Sequence, residues 1–284
     1  MSNEPDLFNI YGRFKETHSI RSADFSVSGR IQRWSWLDAG SGDRTILLLP
    51  GFLGRADTCF PYILALEPHF RILSFTYPPS TGSVDALCDG MITVMDELHI
   101  SRVNVLGGSY SGYLAQVLVR RNPDRMNSLI LTHTGLPDNK HARTAVICLF
   151  LAYLMPFQLF RRAMLLSRYL YFPRTTDSSS FWRGHFEQVI SQQSRESMLN
   201  RFRLMCDFHQ NYHFDIKDLA GWPGQMLIME MGRDDMTTPA DQAAMRGLYP
   251  QAEVRVFPYT EHMDSVDQPE QQISVIKGFF VRCS

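Results

Sequence analysis

The stretch Val-Asn-Val-Leu-Gly-Gly-Ser-Tyr-Ser-Gly, residues 103–112, indicates the fold more clearly than any other part of the chain. Its apolar first half predicts a buried strand that ends at Leu106, and the residues from Tyr113 onward predict a helix. The chain must reverse between these two elements, with Ser109 at the apex. This order of strand, serine and helix is typical of a nucleophile elbow, G-x-S-x-G, which exposes one hydroxyl above the end of a strand.

The elbow requires small side chains two residues before and two residues after the serine, because the strand and the helix crowd each other there. Gly107 meets this requirement, and Ser111 departs from it by one hydroxymethyl group. If Ser111 were the nucleophile instead, Ser109 and the bulky Tyr113 would occupy the crowded positions. We therefore expect Ser109 to be the nucleophile. The alternative is an incidental glycine–serine turn after a buried strand.

A serine hydroxyl becomes a good nucleophile only when a base takes its proton and an acid orients that base. The sequence offers both groups downstream, in the order acid and then histidine. A strand-like run at residues 225–231 leads into Gly-Arg-Asp-Asp-Met-Thr-Thr-Pro, residues 232–239, and a second short run at residues 254–258 precedes His262. Both groups would then lie at the carboxyl ends of strands, on the same rim as the elbow.

Together these motifs resemble those of the α/β-hydrolase superfamily, and the likeness extends from about residue 46 to residue 280. The acid loop is similar to the family pattern Gly-x-x-Asp-x-x-x-Pro, which selects Asp235 over Asp234. The segment around His262 is similar to the histidine loop of the family. The resemblance therefore implies a catalytic triad of Ser109, Asp235 and His262.

The turn after the apolar run at residues 45–49 is similar to the His-Gly turn of the family, with Pro50 in place of the histidine. The resemblance implies an oxyanion hole made by the backbone N–H groups of Phe52 and Tyr110. We also expect Phe52, Tyr110 and His133 to contact the substrate. Phe52 and Tyr110 flank the nucleophile, and His133 lies where a predicted strand ends at the pocket. An ordinary Pro-Gly turn is the alternative for this segment.

Alternating strands and helices along the chain predict an α/β fold with a doubly wound, mostly parallel sheet. The resemblance specifies this as an α/β-hydrolase fold with an inserted α-helical cap. Strands are predicted at residues 30–37, 45–49, 71–76, 103–106, 127–132, 225–231 and 253–257, and helices at residues 57–66, 84–97, 110–121, 240–248 and 268–280.

Residues 137–221 interrupt the alternation, because they predict helices and loops without a strand. We therefore expect a core domain at 1–136 and 222–284 and a helical cap, or lid, at 137–221. The apolar run at residues 145–160 is shorter than the ~20 residues that a transmembrane helix needs, and it contains a proline, so no transmembrane segment is expected. One face of this run is expected to pack on the core and the other to line an apolar pocket. Complete burial inside the cap is the alternative.

The composition of the 284 residues excludes some classes of function. The net charge is −1 and no tract is rich in Lys or Arg, so nothing favours nucleic-acid binding. The amino terminus lacks the apolar segment of a secretory signal. The five cysteines are scattered, without zinc-ligand spacing, and are typical of reduced thiols in a cytoplasmic protein.

These observations predict a serine hydrolase that cleaves a carboxylic ester or thioester through an acyl-enzyme on Ser109. The small-molecule substrate would carry an apolar acyl or alcohol part to match the apolar cap. No metal, nucleotide or flavin is required for this chemistry. The same triad also serves C–C bond hydrolysis and acyl transfer, which stay open as alternatives.

A different class of function is open as well. The stretches at residues 50–57, 107–116 and 128–131 resemble those of maspardin-like proteins, which are α/β-hydrolase-like proteins implicated in partner binding. Proteins of this group also tend to lack the His-Gly turn, as this chain does at Pro50. The resemblance implies a non-catalytic alternative in which the partner is a protein.

Overall fold

The computed structural model describes residues 6–172, 177–267 and 269–283. Its strands are β1 (Arg21–Val27), β2 (Arg30–Ala39), β3 (Thr45–Leu48), β4 (Arg71–Thr76), β5 (Val103–Gly108), β6 (Met126–Thr132), β7 (Gln225–Met231) and β8 (Glu253–Phe257). Within the described residues they form one sheet in the order β1-β2-β4-β3-β5-β6-β7-β8. The pairs from β4 to β8 are parallel, whereas β1 pairs with β2, and β2 with β4, in antiparallel fashion.

The helices are α1 (Leu7–Thr17), α2 (Phe60–Leu66), α3 (Val84–Glu97), α4 (Tyr110–Arg121), α5 (Asn139–Leu154), α6 (Phe157–Tyr171), α7 (Asp177–Gln192), α8 (Arg195–Asn211), α9 (Pro239–Leu248), α10 (Asp264–Asp267) and α11 (Glu270–Arg282). Short 3₁₀ turns occur at Ala56–Cys59, Pro123–Arg125 and Ile216–Leu219. No helix among the described residues is long and apolar enough to cross a membrane.

Helices cover both faces of the sheet, as the continuous apolar runs of its inner strands require. Successive residues of β3 alternate between two buried clusters: Ile46 and Leu48 pack on one side, and Leu47 packs on the other. On β5, Leu106 packs in the same cluster as Ile46, and Val105 packs in the same cluster as Leu47. The expected doubly wound, mostly parallel α/β fold is thus confirmed.

Several elements match the sequence expectation residue for residue, namely β4, β7, β8, α3 and α4. Two elements at the amino terminus were not expected. The strand β1 is an edge strand in which only Val27 is buried, so its sequence lacks an apolar run. The helix α1 buries only Tyr11 and Phe14 and is capped by the preceding residue, Asp6, whose carboxylate accepts the N–H of Asn9.

The chain between β6 and β7 consists of α5 to α8, a 3₁₀ turn and loops in the described residues. Its division from the core as a separate cap stays a prediction. The alternative of complete burial for the apolar run at 145–160 is wrong, since Ile147, Phe150 and Leu154 are exposed. That this run lines an apolar pocket stays a prediction. Some of the residues in these predictions lie outside the described residues, namely 1–5 and 284 of the predicted core, 173–176 of the predicted cap and Gln268 of the predicted last helix.

Candidate active site

The backbone at Ser109 is a tight elbow between β5 and α4. Ser109 has φ 49° and ψ −125°, a conformation that costs a non-glycine residue free energy. Its N–H donates to the Thr132 carbonyl at 3.0 Å, and its carbonyl accepts the hydroxyl of Thr134 at 2.8 Å. The end of β6 therefore holds the strained residue on both sides.

The two small residues that flank the elbow, Gly107 and Ser111, fit its close packing in different ways. A Cβ at Gly107 would lie 2.7 Å from the Ser111 carbonyl oxygen and 2.8 Å from Cβ of Ala115. Ser111, at the second crowded position, turns its hydroxyl back to the chain. It accepts the N–H of Gly108 at 3.0 Å and donates to the Gly108 carbonyl at 2.9 Å. The Ser111 hydroxyl thus stabilises the turn, although Ser111 stands where the sequence pattern has a glycine.

Ser109, His262 and Asp234 form one continuous chain of hydrogen bonds. Nε2 of His262 lies 2.9 Å from Oγ of Ser109, and Nδ1 lies 2.9 Å from both carboxylate oxygens of Asp234. An ionised carboxylate only accepts, so Nδ1 carries the proton and Nε2 accepts the serine hydroxyl. The imidazole is buried and the Asp234 carboxylate is completely buried. This is the arrangement that moves a proton from a serine to a histidine.

The acid in this chain is Asp234, which corrects the expectation of Asp235. The loop after β7 turns back at once, since the Arg233 N–H donates to the Thr260 carbonyl at 2.9 Å. Asp234 then faces the imidazole, while Asp235 is exposed. The family pattern places the acid three residues after Gly232, at Asp235. In this chain the turn instead brings Asp234, one residue earlier, to the histidine.

The surroundings of Asp234 favour its ionised form. Burial acts to raise its pKa, but the hydrogen bond and the charge of His262 and the backbone N–H groups of Thr237 and Met236 outweigh burial and lower it. Both N–H groups donate to the same carboxylate oxygen at 2.8 Å. The carboxylate is therefore fixed in position and negatively charged at neutral pH.

The histidine is fixed from its own loop. Its carbonyl accepts the hydroxyl of Ser265 at 3.0 Å, and the preceding N–H, that of Glu261, donates to the Asp264 carboxylate at 2.7 Å. Asp264 thus closes the turn that carries His262.

The turn that carries Phe52 follows β3 and is anchored to Tyr77, the residue that follows β4. The hydroxyl of Tyr77 donates to the Pro50 carbonyl at 2.9 Å, and the Tyr77 N–H donates to the Gly54 carbonyl at 2.9 Å. Neither the N–H of Phe52 nor that of Tyr110 donates to another described residue. The rings of Phe52 and Tyr110 meet edge to face at 5.7 Å, so the two residues are neighbours in space. Pro50 therefore removes the family's histidine side chain without removing either backbone donor.

His133 packs against the site histidine. Its ring lies edge to face with that of His262, with centroids 4.6 Å apart, and its Nδ1 lies 2.8 Å from Oγ1 of Thr132. Burial, together with the charge of His262, lowers the pKa of His133 well below its ordinary value, although Asp234 opposes this. His133 is thus neutral at neutral pH. A contact between His133 and the substrate stays a prediction.

The helical insertion reaches the Phe52 turn through α8 and the residues before it. Phe202 packs against Phe52 with ring centroids 5.2 Å apart, and the Gln193 side chain donates to the Leu53 carbonyl at 2.6 Å. Arg201 is buried beside Gly54 and donates to the Tyr77 carbonyl at 3.1 Å. Its Nε and Nη1 have no hydrogen-bond partner among the described residues.

Comparison with known proteins agrees with this fold. The family model for the alpha/beta hydrolase fold matches residues 44–269. The chain belongs to the alpha/beta-hydrolase family. It is 26% identical to maspardin from Danio rerio over 226 residues, which are 77% of this chain and 69% of maspardin.

Among solved structures, this alpha/beta hydrolase is similar to a thermophilic esterase from Thermogutta terrifontis. The TM-score is 0.75 at 19% identity, and the match covers 93% of this chain and 99% of the esterase. It is also similar to the enol-lactonase from Burkholderia xenovorans, with a TM-score of 0.73 at 17% identity, covering 92% and 100% of the two chains. At this identity the likeness shows the shared fold.

Sequence reasoning about this alpha/beta hydrolase missed two features of the site. The first is Asp234, because adjacent aspartates make the motif ambiguous by one residue. No local signal in the sequence separates the two aspartates. The second is Arg201, which gives no signal, since a lone arginine in an amphipathic helix is normally exposed.

Proposed function

We propose that this alpha/beta hydrolase cleaves a carboxylic ester or thioester through an acyl-enzyme on Ser109. The observation that carries the proposal is the hydrogen-bonded chain from Ser109 through His262 to Asp234, with 2.9 Å at each link. The strained backbone at Ser109 supports it further, because strain of this kind is typical of a functional position.

The reaction begins when Oγ of Ser109 attacks the carbonyl carbon of the substrate and its proton passes to Nε2 of His262. Asp234 holds the imidazole by Nδ1–H and stabilises the positive charge that develops on it. The N–H groups of Phe52 and Tyr110 donate hydrogen bonds to the carbonyl oxygen as it becomes negatively charged. Each such donor stabilises the transition state by about 2.7–4 kcal/mol.

The leaving group departs with the proton from His262, and the acyl group remains on Ser109 as an ester. A water molecule then gives a proton to His262 and attacks the acyl carbon. Collapse of this second intermediate releases the acid and returns the proton to Ser109.

We infer that residues 137–221 act as a cap over this site. The contact between Phe202 and Phe52 and the hydrogen bond from Gln193 support this inference, since both join the insertion to the Phe52 turn. The aromatic rings at the contact favour a substrate with an apolar acyl or alcohol part.

Hydrolysis of p-nitrophenyl esters of increasing acyl length tests the proposal. The wild-type protein should release p-nitrophenol, with a preference among chain lengths, whereas Ser109→Ala should not and should keep a similar melting temperature. Activity that survives in Ser109→Ala would show that another residue is the nucleophile.

A non-catalytic role in partner binding is the second candidate. It is favoured by the likeness to maspardin over 77% of the chain and by Pro50 at the position of the family's histidine. Under this alternative the wild-type protein would be as inactive toward every ester as Ser109→Ala.

A further inference from the structure

Large apolar side chains lie exposed along the outer faces of α5 and α6. On α5 the fractional exposure is 60% for Phe150 and 67% for Leu154, and on α6 it is 66% for Leu166 and 81% for Leu170. Further exposed apolar residues of these helices are Val146, Ile147, Leu151, Tyr153, Leu159 and Tyr169. Soluble proteins expose few large apolar side chains close together, so a concentration of them on two helices favours an interaction site.

On α5 the small side chains are buried and the large apolar side chains are exposed, which is the reverse of the usual distribution. Its buried residues are the small ones, Ala142, Ala145 and Ala152, and Ala152 packs in a cluster with Met198 and Leu199 of α8. Its large residues recur every three or four positions on the outer side. A helix that only filled the cap would bury its large side chains instead.

The helix α6 has an exposed apolar face of its own. Leu159, Arg162, Leu166 and Leu170 are spaced three or four residues apart and are all exposed, so they share one face. Phe160, on another face, is buried in the same cluster as Ala152 of α5. Both helices thus pack on one cluster and present their large apolar residues outward. We call these exposed residues of α5 and α6 the outer cap surface.

The outer cap surface is also cationic. Residues 139–172 contain five Lys or Arg and no Asp or Glu, in a chain whose net charge is −1. Lys140, Arg143 and Arg162 are exposed, and none of them forms an ion pair with another described residue. Arg168 pairs with Glu187 of α7 at 3.5 Å. Arg143 and Arg162 are therefore free to bind anions beside the exposed apolar side chains.

We propose that the outer cap surface binds the surface of a membrane that contains anionic phospholipid. The apolar side chains enter the boundary between headgroups and acyl chains, and Arg143 and Arg162 contact the lipid phosphates. A second copy of the chain fits this surface less well, because it would bring two sets of unpaired cations together. The proposal does not rest on the chemistry of Ser109.

Flotation of the full-length protein with lipid vesicles tests the proposal. Binding is expected to vesicles of phosphatidylcholine with phosphatidylglycerol, to be weaker with phosphatidylcholine alone, and to decrease as salt is added. Phe150→Ser with Leu154→Ser should abolish binding. Arg162→Gln should weaken it about fivefold, the usual effect of one arginine at an anionic surface.

Two control variants check that binding belongs to the outer cap surface. Ile31→Ser with Val256→Ser removes exposed apolar residues of β2 and β8 and should leave binding unchanged. Ser109→Ala should also bind like the wild type, because hydrolysis is not involved. Circular dichroism checks that each variant is folded.

The double variant Arg143→Gln with Arg162→Gln tests the role of charge in binding, because it leaves the apolar residues of the outer cap surface unchanged.

Three results would overturn the proposal. The first is failure of the wild-type protein to float with anionic vesicles. The second is equal binding by the wild type and by folded variants of the outer cap surface. The third is a dimer in light scattering that Phe150→Ser with Leu154→Ser dissociates, without vesicle binding by the wild type, since the occupant would then be a second copy.

Discussion

Both carboxylate oxygens of Asp234 lie 2.9 Å from Nδ1 of His262, whereas the side chain of Asp235, one residue later, is exposed. The two aspartates are therefore a matched pair for mutagenesis. They have the same chemistry and nearly the same place in the chain, but only one of them contacts the imidazole.

We expect Asp234→Asn to lower kcat for ester hydrolysis by about 10⁴, because an amide no longer stabilises the imidazolium or its tautomer. Asp235→Asn should leave kcat nearly unchanged. Steady-state kinetics on one p-nitrophenyl ester measures both variants. A severe loss in Asp235→Asn with little loss in Asp234→Asn would return the acid to the residue that the family pattern selects.

Gly54→Ala should lower the free energy of unfolding by about 2 kcal/mol. Gly54 has φ +64°, and a Cβ there would lie 2.4 Å from Nε of the buried Arg201. Gly51→Ala, in the same turn, is the matched control, since its Cβ would meet nothing within 4 Å. Urea denaturation measures both variants, and equal stability of the two would show that the contact with Arg201 is not tight.

The buried His185 makes stability depend on pH. Burial lowers its pKa from 6.5 to about 4; Asp57 opposes this shift, and Arg55 and Lys15 add to it. Above pH 6.5 the ring is neutral in the folded and unfolded chains. Below pH 6.5 this histidine is protonated in the unfolded chain, whereas in the folded chain it stays neutral down to about pH 4. Stability therefore falls across this window, by about 3 kcal/mol in full.

Melting curves between pH 7 and pH 4 check this expectation as a difference between variants. His185→Phe keeps the stacking on Phe181 and should show a smaller decrease in melting temperature than the wild type. His213→Phe, at an exposed histidine, should decrease as the wild type does. If His185→Phe and the wild type lose stability in parallel, another group is responsible for the pH dependence.

The sequence predicted the parts of the fold that depend on continuous burial. β4 and β7 are inner strands covered on both faces, so their apolar runs mark their bounds. The elbow was predictable because only small residues fit at Gly107. By contrast, β1 lies at the sheet edge, and its alternating half-exposed residues resemble a loop in sequence.

Two features depended on tertiary structure that no local pattern encodes. The choice between Asp234 and Asp235 is made by the loop, where Arg233 pairs with Thr260 of another segment. The apolar run of α5 shows which residues are apolar but not which face of the helix is exposed. The packing of α8 against the alanines of α5 determines which face is buried.

The role of Ser109 as the nucleophile is best tested by reaction with a fluorophosphonate probe, followed by mass spectrometry of the peptides. We expect one covalent adduct on the peptide that contains Ser109, with labelling abolished in Ser109→Ala and strongly slowed in His262→Ala. If the folded wild-type protein stays unlabelled, or carries the adduct on another serine, Ser109 is not the nucleophile.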